Sequence, residues 1–194
     1  GPLAELPRLV ERTANDIERA LVPTSPAQRE ELSFPSEDVA RLFFEARTEY
    51  RSFWGSHLAK SAELFDQARA LAPEHPTLLA WSAAAHTRQR FFETAPPEHD
   101  LGRELALRAV ALAPDSAVAH VALASSHMQR VAVLEAIPHF IEALRLAPGL
   151  VEQRSHFARV VAECGAIEPA RLLAERALEL DPTFSEPLAV LMRV

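Results

Sequence analysis

The chain has 194 residues, 48% of them hydrophobic and 24% charged, an ordinary globular balance for one large domain or two small ones. Its net charge of −7 weighs against general phosphate-backbone binding, which depends on clustered cations, and its one cysteine, Cys164, excludes an intrachain disulfide and any metal site built on two thiolates. No apolar run reaches the ~20 residues of a membrane span, and five glycines in an Ala- and Leu-rich chain favour helices over sheets.

Gly1-Pro2 reads as the scar of a removed tag, so the chain is expected to be a piece of a longer protein. Residues 3–35 are predicted to form an N-terminal amphipathic helix and a connector. Leu6, Leu9, Val10, Ala14, Ile17, Ala20 and Leu21 recur at helical spacing, and Val22 to Pro35 is punctuated by three prolines. From Ser36 onward one helix ending repeats: ARALAP closing at Pro73, RAVALAP at Pro114, EALRLAP at Pro148 and RALELDP at Pro182. Proline lacks the N–H and clashes with the preceding turn, so each copy stops a helix. The residues that follow, Asp115-Ser116 and Thr183 to Glu186, offer oxygens to cap the next one. The spacings are 41, 34 and 34 residues, and a period of about 34 is that of a two-helix repeat. Residues 36–194 therefore divide into units of about 36–75, 76–116, 117–150 and 151–184, followed by a C-terminal helix at 185–194.

Within the third unit, Leu123, Ala124, Ala136, Phe140, Ala143 and Pro148 alternate large and small residues at fixed positions, and the fourth repeats the register with Phe157, Ala158, Gly165, Ala170, Ala177 and Pro182. The second unit keeps Ala83 and Ala109 but is seven residues longer. The extra length is assigned to Phe91–Asp100, where the first helix of the repeat's pair, helix A, is expected to lengthen and then loop out at Pro96-Pro97. The first unit opens on Arg41–Ala46 and closes on Ala68–Pro73, with a longer turn expected around Gly55. On these residues the chain resembles the tetratricopeptide repeat (TPR) family. The resemblance implies an all-α fold, a TPR-type right-handed superhelix of antiparallel helix pairs, here with an extra N-terminal helix. The order of amphipathic helix, proline-punctuated connector and repeats is also similar to the repeat regions of bacterial, myxobacterial-type Ser/Thr kinases and related signalling regulators. That implies a sensory or partner-recruiting region, with any kinase or cyclase activity elsewhere in a parent chain, since no Gly-rich loop, HRD or DFG motif occurs.

Eight histidines raise the question of a metal, but none forms an HExxH pair; His120 and His127 are seven apart and His86 lies in another unit. His86 and His127 are expected to be packed, hydrogen-bonded residues, and Trp54 and Trp81 to be packing residues. No catalytic residue, metal or cofactor is assigned, and the chain is expected to be non-enzymatic and cytoplasmic. The resemblance implies a concave groove lined by helix A side chains: Arg47, Tyr50 and Arg51; Ala80, Ala84, Thr87 and Arg88; Val121, Ser125, Met128 and Gln129; Ser155, Arg159, Ala162 and Glu163. Four arginines against one glutamate in an acidic chain predict an acidic protein or peptide partner held by guanidinium forks, with Tyr50 and Met128 in apolar contact. Nucleic-acid binding and membrane insertion are not expected. The alternative is a self-association module, a homodimer formed through the helix at Ser185–Val194 or through Phe91-Phe92.

Overall fold

The computed structural model describes residues 32–52, 55–92, 100–147, 149 and 151–194. The helix expected over Leu3–Leu21, Trp54, Pro148 and the Pro96-Pro97 loop lie outside the described residues. These residues form nine helices and no strand: α1 (Glu37–Arg51), α2 (Gly55–Leu71), α3 (Pro76–Phe92), α4 (Leu101–Leu112), α5 (Ala117–Gln129), α6 (Val133–Leu146), α7 (Val151–Glu163), α8 (Ile167–Leu180) and α9 (Glu186–Leu191). The chain divides into two compact units with the boundary between Ala143 and Leu144.

Helix ends follow local chemistry. α1 starts where the Ser36 hydroxyl accepts the Val39 N–H at 3.3 Å, with Glu37 and Asp38 in the first turn and Arg51 in the last, each complementing the helix dipole. α5 starts in the same way, Ser116 Oγ accepting from Ala119 N at 3.3 Å. α4 begins at Asp100, whose carboxylate accepts the Arg103 N–H at 3.1 Å and draws in Arg90 and Arg130 at 3.5 and 3.7 Å. α2, α4 and α8 end at Leu71, Leu112 and Leu180, just before Pro73, Pro114 and Pro182. Pro138 behaves differently, lying within α6, which continues to Leu146. The turn expected around Gly55 falls just before it, between Arg51 and Gly55, which opens α2. One expectation needs correction. Ser185 makes no side-chain cap, because its backbone is already right-handed helical rather than extended; Asp181 instead accepts from the backbone N–H and hydroxyl of Thr183 at 2.9 and 2.6 Å.

In the first unit each hairpin packs on the next: α1 on α2, α3 on α4, and α3 in turn on α1, α2 and α5. Helices that open a hairpin therefore lie side by side in the order α1, α3, α5. Alanines fully buried at Ala46, Ala68, Ala83, Ala106 and Ala109 allow close approach, while Phe43, Phe65 and Trp81 fill the wider space between α1, α2 and α3. Each such ring contributes about 2 to 3 kcal/mol by leaving water. Phe34 packs on Phe43 and stacks on His75, whose ring is 2.9 Å from the Ser33 carbonyl oxygen, so the segment before α1 is pinned to the α2–α3 turn. The second unit packs α7, α8 and α9 around Phe157, Leu173, Phe184 and Val190.

Two hairpin turns share one construction. After α5, Val131 N–H donates to the Met128 carbonyl and Ala132 N–H to the His127 carbonyl, both at 3.0 Å; after α7, Gly165 N–H donates to Ala162 at 2.9 Å and Ala166 N–H to Val161 at 3.1 Å. This is a Schellman end, which requires a left-handed residue. The residue is Gly165 at φ 81° in one turn and Val131 at φ 60° in the other.

Candidate functional site

The residues expected to line a groove lie on α1, α3, α5 and α7, and the structure sorts them by what covers them. The best-defined group joins α1 to α3. The Arg47 guanidinium carbon lies 5.4 Å from the centre of the Trp81 ring, and that of Arg88 lies 4.6 Å from the centre of Tyr50. Trp81 and Tyr50 meet edge to face at 5.4 Å. Two aromatic rings thus back two guanidiniums, an arrangement worth about 0.5 to 2 kcal/mol for each pair, depending on desolvation. A ring against a guanidinium shields one side of it, and a carboxylate pairs with guanidinium N–H groups in their plane.

Tyr50 therefore does not offer the open apolar contact expected of it. It is 1% exposed, because α3 closes over it and Arg88 lies across its ring. Thr87 is likewise turned away from an open face. It is 4% exposed, and a Cβ on Gly102 would collide with its Oγ1 and come within 3.1 Å of its backbone nitrogen, so the side chain points to α4. Ser125 is buried, its hydroxyl without a hydrogen-bond partner among the described residues. Gln129 reaches back from α5 and donates its side-chain amide to the Thr87 carbonyl. Arg47, Arg51, Arg88 and Met128 are half-buried. The small positions Ala80, Ala84 and Val121 are buried.

On α7 the arrangement differs. Arg159 pairs with Glu163 at 2.9 Å and with Glu186 of α9 at 3.7 Å, and Glu186 also lies 3.2 Å from His156. Glu186 is buried, so Arg159 joins it and His156 in an internal charge cluster that seats α9, while Glu163 is exposed. Ser155, also buried, donates to the Val151 carbonyl. Glu186 is the residue that spacing alone missed: it reads as a helix-capping carboxylate, yet it turns inward to Arg159.

A further polar group supports α3. Asp66 on α2 accepts from Ser82 at 2.8 Å, His86 at 2.9 Å and Arg69 at 3.0 Å. Burial alone would raise the Asp66 carboxyl, but the hydrogen bonds and charge of His86, with Ser82 and Arg69, outweigh it and hold it at about 2. His86 is thus the packed, hydrogen-bonded histidine its position predicts. His127, the other one, stacks on His139 with ring centres 5.9 Å apart. Among the described residues no helix is long and apolar enough to cross a membrane.

Among solved structures, TTC0263, a thermophilic TPR protein of Thermus thermophilus, superposes with a TM-score of 0.57 at 16% identity, over 80% of this chain and 84% of that one. A double mutant of MamA RS-1 is similar over 94% of this chain and 97% of its own at 17% identity, with a TM-score of 0.45. No family model and no curated protein matches the chain. The likeness to TTC0263 is one of fold: antiparallel helix pairs packed in a tetratricopeptide-type repeat arrangement.

Proposed function

We propose that this chain is a non-catalytic scaffold that binds an acidic segment of another protein on the face shared by α1, α3 and α5. The observation that carries the reading is the pair of aromatic-backed guanidiniums, Arg47 over Trp81 and Arg88 over Tyr50. In a chain of net charge −7 it is a local concentration of cations already held against rings, so less side-chain entropy is lost when a carboxylate arrives. Arg51 and Met128 extend the face by register. In this reading the chain is the sensory or partner-recruiting part of a larger bacterial signalling protein and works in the cytoplasm. The test is to pan a random peptide library on the immobilised chain. Enriched peptides should be acidic, and a chain carrying Arg47→Glu and Arg88→Glu should lose them while keeping its far-UV dichroism. Enrichment of neutral or basic peptides, or equal capture by the variant, refutes the reading.

Self-association is a second reading, supported by Leu188 and Met192, which lie four residues apart at the α9 end and are exposed. A mass by light scattering that rises with concentration, and falls back in Leu188→Glu, would favour it.

A further inference from the structure

Three histidines from α5 and α6 are stacked within the first unit, and none belongs to the proposed binding face. His120 Nδ1 lies 2.9 Å from His139 Nδ1. His120 Nε2 lies 2.8 Å from the Pro114 carbonyl oxygen. On its other side His139 stacks on His127, the rings 5° from parallel. His120 is buried, and the other two are half-buried.

The tautomers follow from the acceptors. A carbonyl oxygen can only accept, so His120 keeps its hydrogen on Nε2 and, when neutral, presents a lone pair at Nδ1. His139 must then carry its hydrogen on Nδ1 and donate it to His120. The two Nδ1 atoms share one hydrogen, and that bond ties α5 to α6. A first added proton can go to His139 Nε2 and leave the bond intact. A second proton, so that both His120 and His139 are charged, would set two N–H groups against each other and break it. Protons on both His139 and His127 would place two like charges in a parallel stack. The charged groups acting on the stack from neighbouring elements are Arg103 on α4, Arg130 at the end of α5 and Glu135 on α6; two of the three are cations. Both His139 and His127 are held below the ordinary histidine value. For His139 the causes are burial and then its two neighbouring imidazoles; for His127 they are burial and then Arg103, with Arg130 adding and Glu135 opposing.

We infer that the His120–His139–His127 stack is a proton-sensitive joint, closing α5 on α6 when the rings are neutral and loosening that hairpin on acidification. The sign follows: an unfolded chain protonates His139 and His127 at the ordinary histidine value, whereas in the folded stack burial and the neighbouring rings and cations oppose it. The other paired histidines are placed differently: His57, His86 and His156 face the carboxylates of Glu49, Asp66 and Glu186. Because α5 carries Met128 and Gln129, and Gln129 holds the end of α3, loosening of this hairpin would reach the face assigned above. The joint itself does not depend on what that face binds.

The test uses the chain alone. Long-range proton–nitrogen spectra of the imidazoles at pH 7.5 should show His120 protonated on Nε2 and His139 on Nδ1. Amide exchange, corrected for its intrinsic pH dependence, should lose about tenfold protection in α5 and α6 between pH 7.5 and pH 5, with less change in α1 and α2. In His127→Gln, which removes the stacked charge but not the Nδ1 bond, His139 should titrate at a higher pH. Observation of His139 protonated on Nε2 at pH 7.5, unchanged protection of α5 and α6 across that range, or unaltered titration of His139 in the variant would each overturn the proposal.

Discussion

Replacing Val131 by glycine should stabilise the protein, although it removes a hydrophobic side chain. Val131 stands at φ 60° in the Schellman turn after α5, with its N–H bonded to the Met128 carbonyl, so the turn cannot relax without losing that bond. A β-branched residue in this region costs about 1 to 2 kcal/mol. Glycine removes that strain but gives about 0.5 to 1 kcal/mol back through the freedom of the unfolded chain. Little burial is lost, since Val131 is 83% exposed. The net expectation for Val131→Gly is a gain of about 0.5 to 1 kcal/mol, with Val131→Asn showing the same sign. Gly165 provides the reciprocal test. It fills the equivalent position at φ 81°, and a Cβ there would meet nothing within 4 Å, so Gly165→Val measures backbone strain without a steric clash. It should cost about 0.5 to 1 kcal/mol by the same reasoning. Urea unfolding followed by far-UV dichroism reads both as midpoint shifts of opposite sign at constant slope. A neutral or destabilising Val131→Gly together with a neutral Gly165→Val would refute the claim that the two turns share one left-handed geometry.

At the closest approach of α3 and α4, Gly102→Ala should destabilise by about 1 to 3 kcal/mol, because the new Cβ meets Thr87 Oγ1 and, at 3.1 Å, the Ala83 carbonyl and Thr87 nitrogen. The double variant with Thr87→Ala should be less damaged than Gly102→Ala alone, a coupling visible in a double-mutant cycle of thermal midpoints; additive losses would contradict the packing described. Asp66, held at about 2, contributes stability that is fully present above the usual carboxylate range and is lost as the pH falls toward 2. Its side chain is 35% exposed, so screening reduces the contribution to about 1 kcal/mol. The stability difference between the native chain and Asp66→Asn, measured by urea titration, should be present at pH 7 and shrink below pH 4; a difference independent of pH would show that the ion pairs are not its source.

Much of the architecture is legible along the chain because its causes are local. Pro73, Pro114 and Pro182 stop helices wherever they fall at a helix end, and Ser36 and Ser116 start them through their own neighbours three residues on. The large and small positions recur with the period because each hairpin must bury the same stripe against the next. Pro138 shows the limit of such reading: the residue that ends three helices is tolerated inside α6, where α6 simply continues past it. The positions expected to form a binding face are legible only as a set. Register places Arg47, Tyr50, Thr87 and Arg88 on helices that come together, but not which of them is open. Tyr50 lies beneath Arg88, Thr87 turns to the gap left by Gly102, and Arg159 is engaged by Glu186 from α9. Each outcome depends on side-chain direction and on a neighbour supplied by another helix. The sequence by itself determined an all-helical repeat and its period, since hydrophobic spacing and proline act within a turn or two. Tertiary structure alone decided which charges face one another and which rings lie under them, because those contacts join residues far apart in the chain.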